Sequence, residues 1–443
     1  MDTPSTRRDI TRRQALGYLG AFALPWDDLV AQTATPPASA ASPTPAAGAG
    51  APAPFVPLDP NTPADLANFH PLFDQFARDH APRLSFLDPR FQSLEAWKQI
   101  ARPAFRDCLG YFPKALPLAA DFVSREARDG YTLEVVKIHA TPAYHIPARV
   151  LIPSNRPGRL PAVLALHCHS GRYTWGHEKV LSHPGESPTL TDFRTGRDGR
   201  PWAESLVRRG YIVIAIDAFY FGERRLRVED LVPARVFPEV REAFETARKA
   251  APGSPDWITA TNRVCSFYEH HTAKTITATG ATWPGLHVWD EMRTVDYLLS
   301  RADVDPARLG CIGLSGGGFR TAMLISADPR IKAACVTGWM TALAHQLRHH
   351  VRHTWMAWLP GMYRSLDLPD AAGLHAPGAL LVQQCRRDTL YPMAGMQAAV
   401  DKLTRIYAKA GIPERFRGTF HDVVHSFQPH MQDEAFDWMD RWL

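Results

Sequence analysis

Residues 309–327 read LGCIGLSGGGFRTAMLISA. The stretch opens as a short apolar run, Leu309 to Leu314, of the kind that forms a strand buried on both faces of a parallel sheet. It passes through Gly313-Leu314-Ser315-Gly316-Gly317, a G-x-S-x-G pattern, and ends in a helix-forming segment from Phe319 to Ala327. In a strand–turn–helix frame this spacing predicts a serine held on a very tight bend. The reason is steric. The backbone conformation at such a bend is unfavourable, and the serine's close neighbours must lack side chains. The hydroxyl then projects above the sheet near the positive end of the following helix, where an oxyanion is stabilised.

Working outward, two segments near Asp121–Arg128 and Tyr131–Ala140 alternate with period two and read as antiparallel strands, with a further strand over Ala148–Ile152. AVLALH (162–167), YIVIAID (211–217), IKAACV (331–336) and ALLVQQ (379–384) are short apolar runs like that at 309–314, and FRGTF (416–420) is the last strand. Between them lie amphipathic helices. Val288, Met292, Val295 and Leu299 mark one, and Ala435, Trp438, Met439 and Trp442 line one face of the last, 431–443. From Pro63 to Leu109 the chain is helix-like, with Leu66, Phe69, Leu72 and Phe76 at three- and four-residue spacing. Strands separated by helices predict a three-layer α/β fold, a mostly parallel central sheet with helices on both faces and right-handed crossovers. Residues 223–284 break the rhythm and carry a helical run near Pro238–Ala250; they read as an inserted lid or wall for a site.

The chain has 443 residues, of which 45% are hydrophobic and 21% charged, which excludes a disordered chain and a disulfide-dense miniprotein. Fifty basic against 45 acidic residues give a net charge of +5 with no basic stripe in the body, so nucleic acid is not an expected partner. Six cysteines are too few for a stabilising framework, and no apolar stretch is long enough for a stable membrane span. Residues 1–32 contain Thr11-Arg12-Arg13 ahead of a short apolar segment from Ala15 to Trp26. They resemble a twin-arginine export signal, which implies the twin-arginine translocation machinery as a partner and an exported, periplasmic or secreted protein. Residues 33–60 are almost entirely Ala, Pro, Gly, Ser and Thr, a mobile tether. The body is then 61–443, with an N-terminal helical part at 61–120.

A serine hydroxyl is a poor nucleophile until a base takes its proton, and the base needs an orienting acid. In this order of elements the acid follows two strands later and the histidine comes last. Asp388, just past ALLVQQ, meets the first condition; Asp401 competes but falls inside a helical pattern. After FRGTF, His425 lies in a loop from which both serine and acid can be reached, whereas His421 adjoins the strand itself; His430 reads as structural. The oxyanion needs two backbone N–H donors. Gly316 supplies one, and the loop His167-Cys168-His169-Ser170-Gly171 the other, from His169 or alternatively Cys168.

Residues 160–443 resemble the α/β-hydrolase superfamily, and within it the dienelactone-hydrolase-like and acetyl-xylan-esterase-like bacterial proteins. The likeness is carried by LALHCHSGRYTWGHEK (164–179), RRGYIVIAIDAFYFGERR (208–225), VDYLLSRADVDPARLGCIGLSGGG (295–318) and HSFQPHMQDEAFDWMDRWL (425–443). It implies Ser315 as nucleophile, Asp388 as acid and His425 as base, acting on a carboxylic ester of a small molecule or a carbohydrate, with no cofactor and no metal. Two departures stand out: Cys168 occupies a position where glycine is usual, and the elbow carries serine where dienelactone hydrolases proper use cysteine. A serine peptidase of the prolyl-oligopeptidase kind and a non-catalytic binding protein share the fold as rival readings. The histidines His345, His349, His350 and His353 read as pocket or surface; the four-residue spacing of His349 and His353 is that of metal ligands. Arg320 faces an anionic substrate group or covers a helix surface. Trp283, Trp289, Trp355 and Trp358 read as core, pocket wall or sugar-stacking faces. Cys311 and Cys335 read as small apolar fillers.

Overall fold

The first three strands, β1 (Ala120–Arg128), β2 (Tyr131–Thr141) and β3 (Tyr144–Pro153), form an antiparallel meander. β4 (Leu160–Leu166), β5 (Ile212–Ile216), β6 (Val304–Leu314), β7 (Ala333–Thr337), β8 (Ala379–Cys385) and β9 (Phe416–His421) run parallel to one another. The computed structural model describes residues 65–443 apart from 115, 155, 348–350 and 352, so the expected signal (1–32) and tether (33–60) lie outside the described residues. The sheet has nine strands in the order β1-β2-β3-β5-β4-β6-β7-β8-β9. Every strand expected from the sequence is present, with ends displaced by a few residues. None of the helices among the described residues is long and apolar enough to cross a membrane.

The strand order reverses at β4. From β4 the chain crosses to β5 on one side, then returns past β4 to β6 on the other. In parallel sheets a crevice opens where the order reverses, at the carboxyl ends of the two flanking strands. The loops after β4 and β6 meet there, and these carry His169 and Ser315.

Apolar runs on the parallel strands are read alternately by the two faces, the period of a pleated strand. Leu164, Cys311 and Val336 belong to one buried cluster, together with Trp97, Phe105 and Val295. Val163, Ile312 and Cys335 belong to the other, with Phe427, Trp438 and Met439. Cys311 and Cys335 are thus small fillers on opposite faces, and all six cysteines are free thiols.

Helices cover both faces. α1 (His70–Asp79) and α2 (Leu94–Leu109) precede the sheet; α3 (Pro188–Asp198) and α4 (Trp202–Arg208) join β4 to β5. α5 (Arg241–Lys249), α6 (Pro255–Ala278) and α7 (Trp283–Ser300) come before β6, α8 (Gly316–Ala327) follows it, and α9 (Leu368–Gly373), α10 (Met393–Lys409) and α11 (Pro429–Trp442) complete the chain. Two helical expectations need correction. The face marked by Leu66, Phe69, Leu72 and Phe76 is exposed, at 45–57% of the accessible maximum, while α2 does the packing through Trp97, Ala101, Phe105 and Leu109 at four-residue steps. The 24-residue helix α6 was not anticipated within 223–284, because its sequence is dense in Thr, His and other polar residues and shows little apolar periodicity.

Candidate active site

Ser315 stands between β6 and α8 with φ 58° and ψ −122°, a left-handed conformation rare for a residue with a side chain. Its N–H donates to the Thr337 carbonyl at 2.9 Å and its carbonyl accepts from Phe319 N at 2.8 Å. The flanking glycines are required by close approach. A Cβ at Gly317 would lie 1.9 Å from the Leu166 carbonyl oxygen of β4, and one at Gly313 would lie 2.2 Å from the Gly317 carbonyl oxygen. No side chain fits either position, so the bend is held by backbone packed on backbone.

Asp388 follows β8, and its side chain is fully buried. One carboxylate oxygen accepts Leu390 N–H at 2.8 Å; the other accepts from His425 Nδ1 at 2.6 Å. With Nδ1–H donated to the carboxylate, Nε2 is left as an acceptor, the tautomer a general base requires. Nε2 is buried and has no hydrogen-bond partner. The ring packs against Gly338, where a Cβ would come within 3.2 Å of it, and Gly338 follows the residue that binds the Ser315 N–H. His425 is thus bonded to Asp388 through Nδ1, while its Nε2 makes no hydrogen bond to Ser315.

The competing residues have other partners. His421 Nε2 lies 3.0 Å from Glu434 Oε2 and 3.1 Å from Thr419 Oγ1, tying β9 to α11. Asp401 is exposed on α10 and accepts from Gln397 Nε2. His430 is near the start of α11 with its ring beside His421. His349 and His350 lie outside the described residues, and with His349 goes the metal-ligand spacing of His349 and His353; His353 packs edge-on against Trp339.

The loop after β4 passes over the elbow with Ser170 and Gly171 both at positive φ. A Cβ at Gly316 would meet His169 N at 3.0 Å, so the loop backbone at His169 lies directly against Gly316. Two residues overlooked in the sequence hold the loop. Lys179, fully buried, donates to the carbonyls of Cys168 (2.9 Å) and His169 (3.1 Å), and burial pulls its amine down to about 7. Glu269, on α6, accepts from His169 Nε2 at 3.1 Å, Tyr173 Oη at 2.5 Å, Trp355 N at 2.8 Å and Thr354 Oγ1. Because His169 Nδ1 accepts Gly171 N–H at 3.0 Å, its Nε2 carries the proton given to Glu269. Burial opposes ionisation of Glu269, yet these donors, His169 first among them, hold its carboxyl below the usual range. Asn262, seven residues earlier on the same helix face, accepts from Tyr173 N and Thr174 N. Lys179 lies within the WGHEK segment already singled out; no local signal marks Glu269.

Beside the elbow is a small pocket of about 20 Å³ that reaches Gly316, His169, Phe221, Trp339 and Met356, with His287 and Arg320 also in its wall. Trp283 and Trp289 are core, whereas Trp355, adjacent to the pocket residues Thr354 and Met356, is 48% exposed.

The fold is that of the α/β hydrolases, with the tight serine bend at the point where the strand order reverses. The prolyl oligopeptidase family model matches residues 279–443, the part from α7 through the elbow to the C-terminal helix. A relative from Bacillus subtilis (strain 168), YtaP, provisionally named a hydrolase, is 26% identical over 350 residues, covering 76% of this chain and 96% of its own. Among solved structures, a protein of Bacteroides fragilis NCTC 9343 provisionally described as an acetyl xylan esterase superposes with TM-score 0.63 at 19% identity, over 80% of this chain and 82% of its own. A glucuronoyl esterase from Solibacter usitatus superposes with TM-score 0.54 at 16% identity, over 81% and 96%. At these identities the structural likeness concerns the fold.

Proposed function

We propose that the protein is a serine-dependent hydrolase of carboxylic esters, working through an acyl-enzyme. The observation that carries this reading is the 2.6 Å contact between His425 Nδ1 and the buried Asp388, which leaves Nε2 buried and unpartnered, with the ring against Gly338, the residue after the Thr337 that binds the strained Ser315. His425 takes the Ser315 proton as the hydroxyl attacks the ester carbonyl, and the N–H groups of Gly316 and His169 receive the oxyanion. The alcohol leaves with that proton, and water then repeats the sequence on the acyl group. Each oxyanion donor contributes about 3 kcal/mol to the lowered barrier. The chemistry calls for no cofactor.

The pocket beside Gly316 is narrow and mostly apolar in its wall, which suits a short acyl group, and the exposed Trp355 ring suits stacking on a sugar face. An acetylated or otherwise esterified carbohydrate is the substrate class that joins the two features. Residues 223–284 act as a wall of this site, since α6 supplies Glu269 and Asn262 to the loop that carries His169. The arginine pair Arg12-Arg13 supports export by the twin-arginine route and action outside the cytoplasm.

The match to the prolyl oligopeptidase family gives weight to a second reading, a peptidase with the same relay. One assay separates them. Ser315→Ala should abolish nitrophenol release from 4-nitrophenyl acetate while His421→Ala retains most of it. Turnover of a proline 4-nitroanilide in preference to the ester would move the assignment to the peptidase, and full activity in the serine variant would end both readings.

A further inference from the structure

Arg320 lies on α8 four residues beyond Gly316, so both face the same side of the helix about 6 Å apart along its axis. The expectation that it covers a helix surface does not hold: it is buried, and it forms part of the pocket wall together with Gly316 and His169. Its Nε donates to Glu291 Oε1 at 2.5 Å, but its Nη1 is buried with no hydrogen-bond partner, and Glu291 Oε2 is buried without one too. The pair therefore leaves a guanidinium N–H unanswered beside an otherwise apolar pocket. A buried charged donor in that condition costs far more than a neutral one, unless a ligand completes it.

No neighbouring acceptor is bonded to this N–H, although Glu291 Oε2 and His287 Nδ1 are likewise buried without partners. His287 and His167 also line the pocket. Burial, followed by the charge of Arg320, keeps His287 well below the usual imidazole range; burial, then Lys179 and Arg320, do the same for His167. Asp290, next to Glu291, is engaged by Arg224 and Tyr144. Phe221, Phe319, Trp339 and Met356 offer no acceptor side chain, and the hydroxyl of Thr354, also in the wall, is engaged by Glu269 and Met356 N.

We infer that Arg320 is a specificity residue that receives a carboxylate carried on the acyl part of the ester, so that half-esters of short diacids are favoured over neutral esters of equal length. The backbones of Gly316 and Arg320 are one helical turn apart, so short diacids are the probes to start from. The inference rests on the esterase reading. The reaction is unchanged in kind: the acyl–oxygen bond breaks, the oxygen of water ends in the second carboxylate, and the alcohol leaves carrying the proton.

The test compares hydrolysis of monomethyl glutarate with that of methyl pentanoate, followed by acid release at constant pH, in the whole protein. Wild type should favour the half-ester by roughly ten- to a hundredfold in kcat/KM, the range expected for a hydrogen bond to a charged partner. Arg320→Met should bring the ratio to one or below, and Arg320→Lys should restore part of it. A readout that needs no variant is inhibition of 4-nitrophenyl acetate turnover in wild type, where glutarate should compete at concentrations at which pentanoate does not. Equal or better turnover of the neutral ester, through Ser315, would overturn the inference and leave the esterase reading standing; the unanswered donor would then belong to a bound water. Absence of Ser315-dependent turnover of any ester, 4-nitrophenyl acetate included, would remove both.

Discussion

At the residue scale, the proposed oxyanion loop is held by two side chains, Glu269 and His169, that take no covalent part in the proposed reaction. Glu269 collects four donors from two segments, 169–173 and 354–355, and fixes the ring of His169, whose backbone nitrogen lies against Gly316. Glu269→Gln replaces one acceptor oxygen by a donor facing other donors, so the loop must shift. A misplacement of an ångström or less is felt mainly in the transition state. Glu269→Gln should therefore lower kcat for 4-nitrophenyl acetate by roughly tenfold or more, with KM changed only a few-fold. A matched loss confined to KM would show that Glu269 shapes binding and not the oxyanion donors. Ser315 itself carries the opposite kind of strain, a left-handed backbone costing about 1–3 kcal/mol, which the surrounding glycine contacts and the bond to Thr337 sustain.

At the scale of elements, the elbow is a contact between β4 and the start of α8. Gly317→Ala would drive a methyl group to 1.9 Å from the Leu166 carbonyl oxygen, and a backbone atom has no flexible end to move aside. The variant should lose about 3 kcal/mol or more in denaturant unfolding, together with activity; a stable, active variant would mean that β4 and α8 are less closely packed than described. The last helix is held differently. Glu434 on α11 accepts from Gln383 of β8 at 2.8 Å, and from His421 at 3.0 Å and Thr419 at 3.1 Å on β9. Burial opposes its ionisation, but the hydrogen bonds from His421 and Gln383 prevail and hold the carboxyl at about 2 against an ordinary 4.5. A depressed carboxyl contributes stability that is complete above the unfolded value and is lost as pH falls toward the folded one. Stability should thus drop between pH 4.5 and 2, by about 1–2 kcal/mol from this group once solvent screening is allowed for. Glu434→Gln should flatten that part of the pH profile; an unchanged acid slope would rule the group out as its source.

On the scale of the whole described molecule, the segment before the sheet is part of the core. Trp97, Ala101, Phe105 and Leu109 of α2 are fully buried in the same cluster as Leu164 and Val336 of the sheet. Arg102 donates to the carbonyls of Ser326 and Leu374, and Lys98 to that of Ala376. Trp97→Ala should cost about 3–5 kcal/mol, and a chain beginning at residue 120 should fail to fold where one beginning at residue 65 melts cooperatively. Cooperative melting of the shorter chain would make the helical part a separate unit.

The strands and the serine bend were legible in the sequence because their signals are local: four to seven apolar residues in a row, or three glycines around a serine, meet their constraint within their own length. The same holds for α7 and α11, whose buried faces repeat every three or four residues. The failures share one cause. α1 repeats its apolar residues as a packed helix would, yet leaves them exposed, since periodicity says that a helix can bury a face and not that a partner is there. α6 hides its role because its inner face is polar, and Glu269 meets His169 across 100 positions of chain. His421 and His425 stand four residues apart in similar company, and only the packing of α11 gives the first to Glu434 while Asp388 takes the second. Arg320 and Glu291 are 29 residues apart, and which nitrogen of the guanidinium is left unanswered depends on how α7 settles against α8. Short-range sterics are written along the chain, whereas the partner of a buried charge is decided by which distant segments close around it.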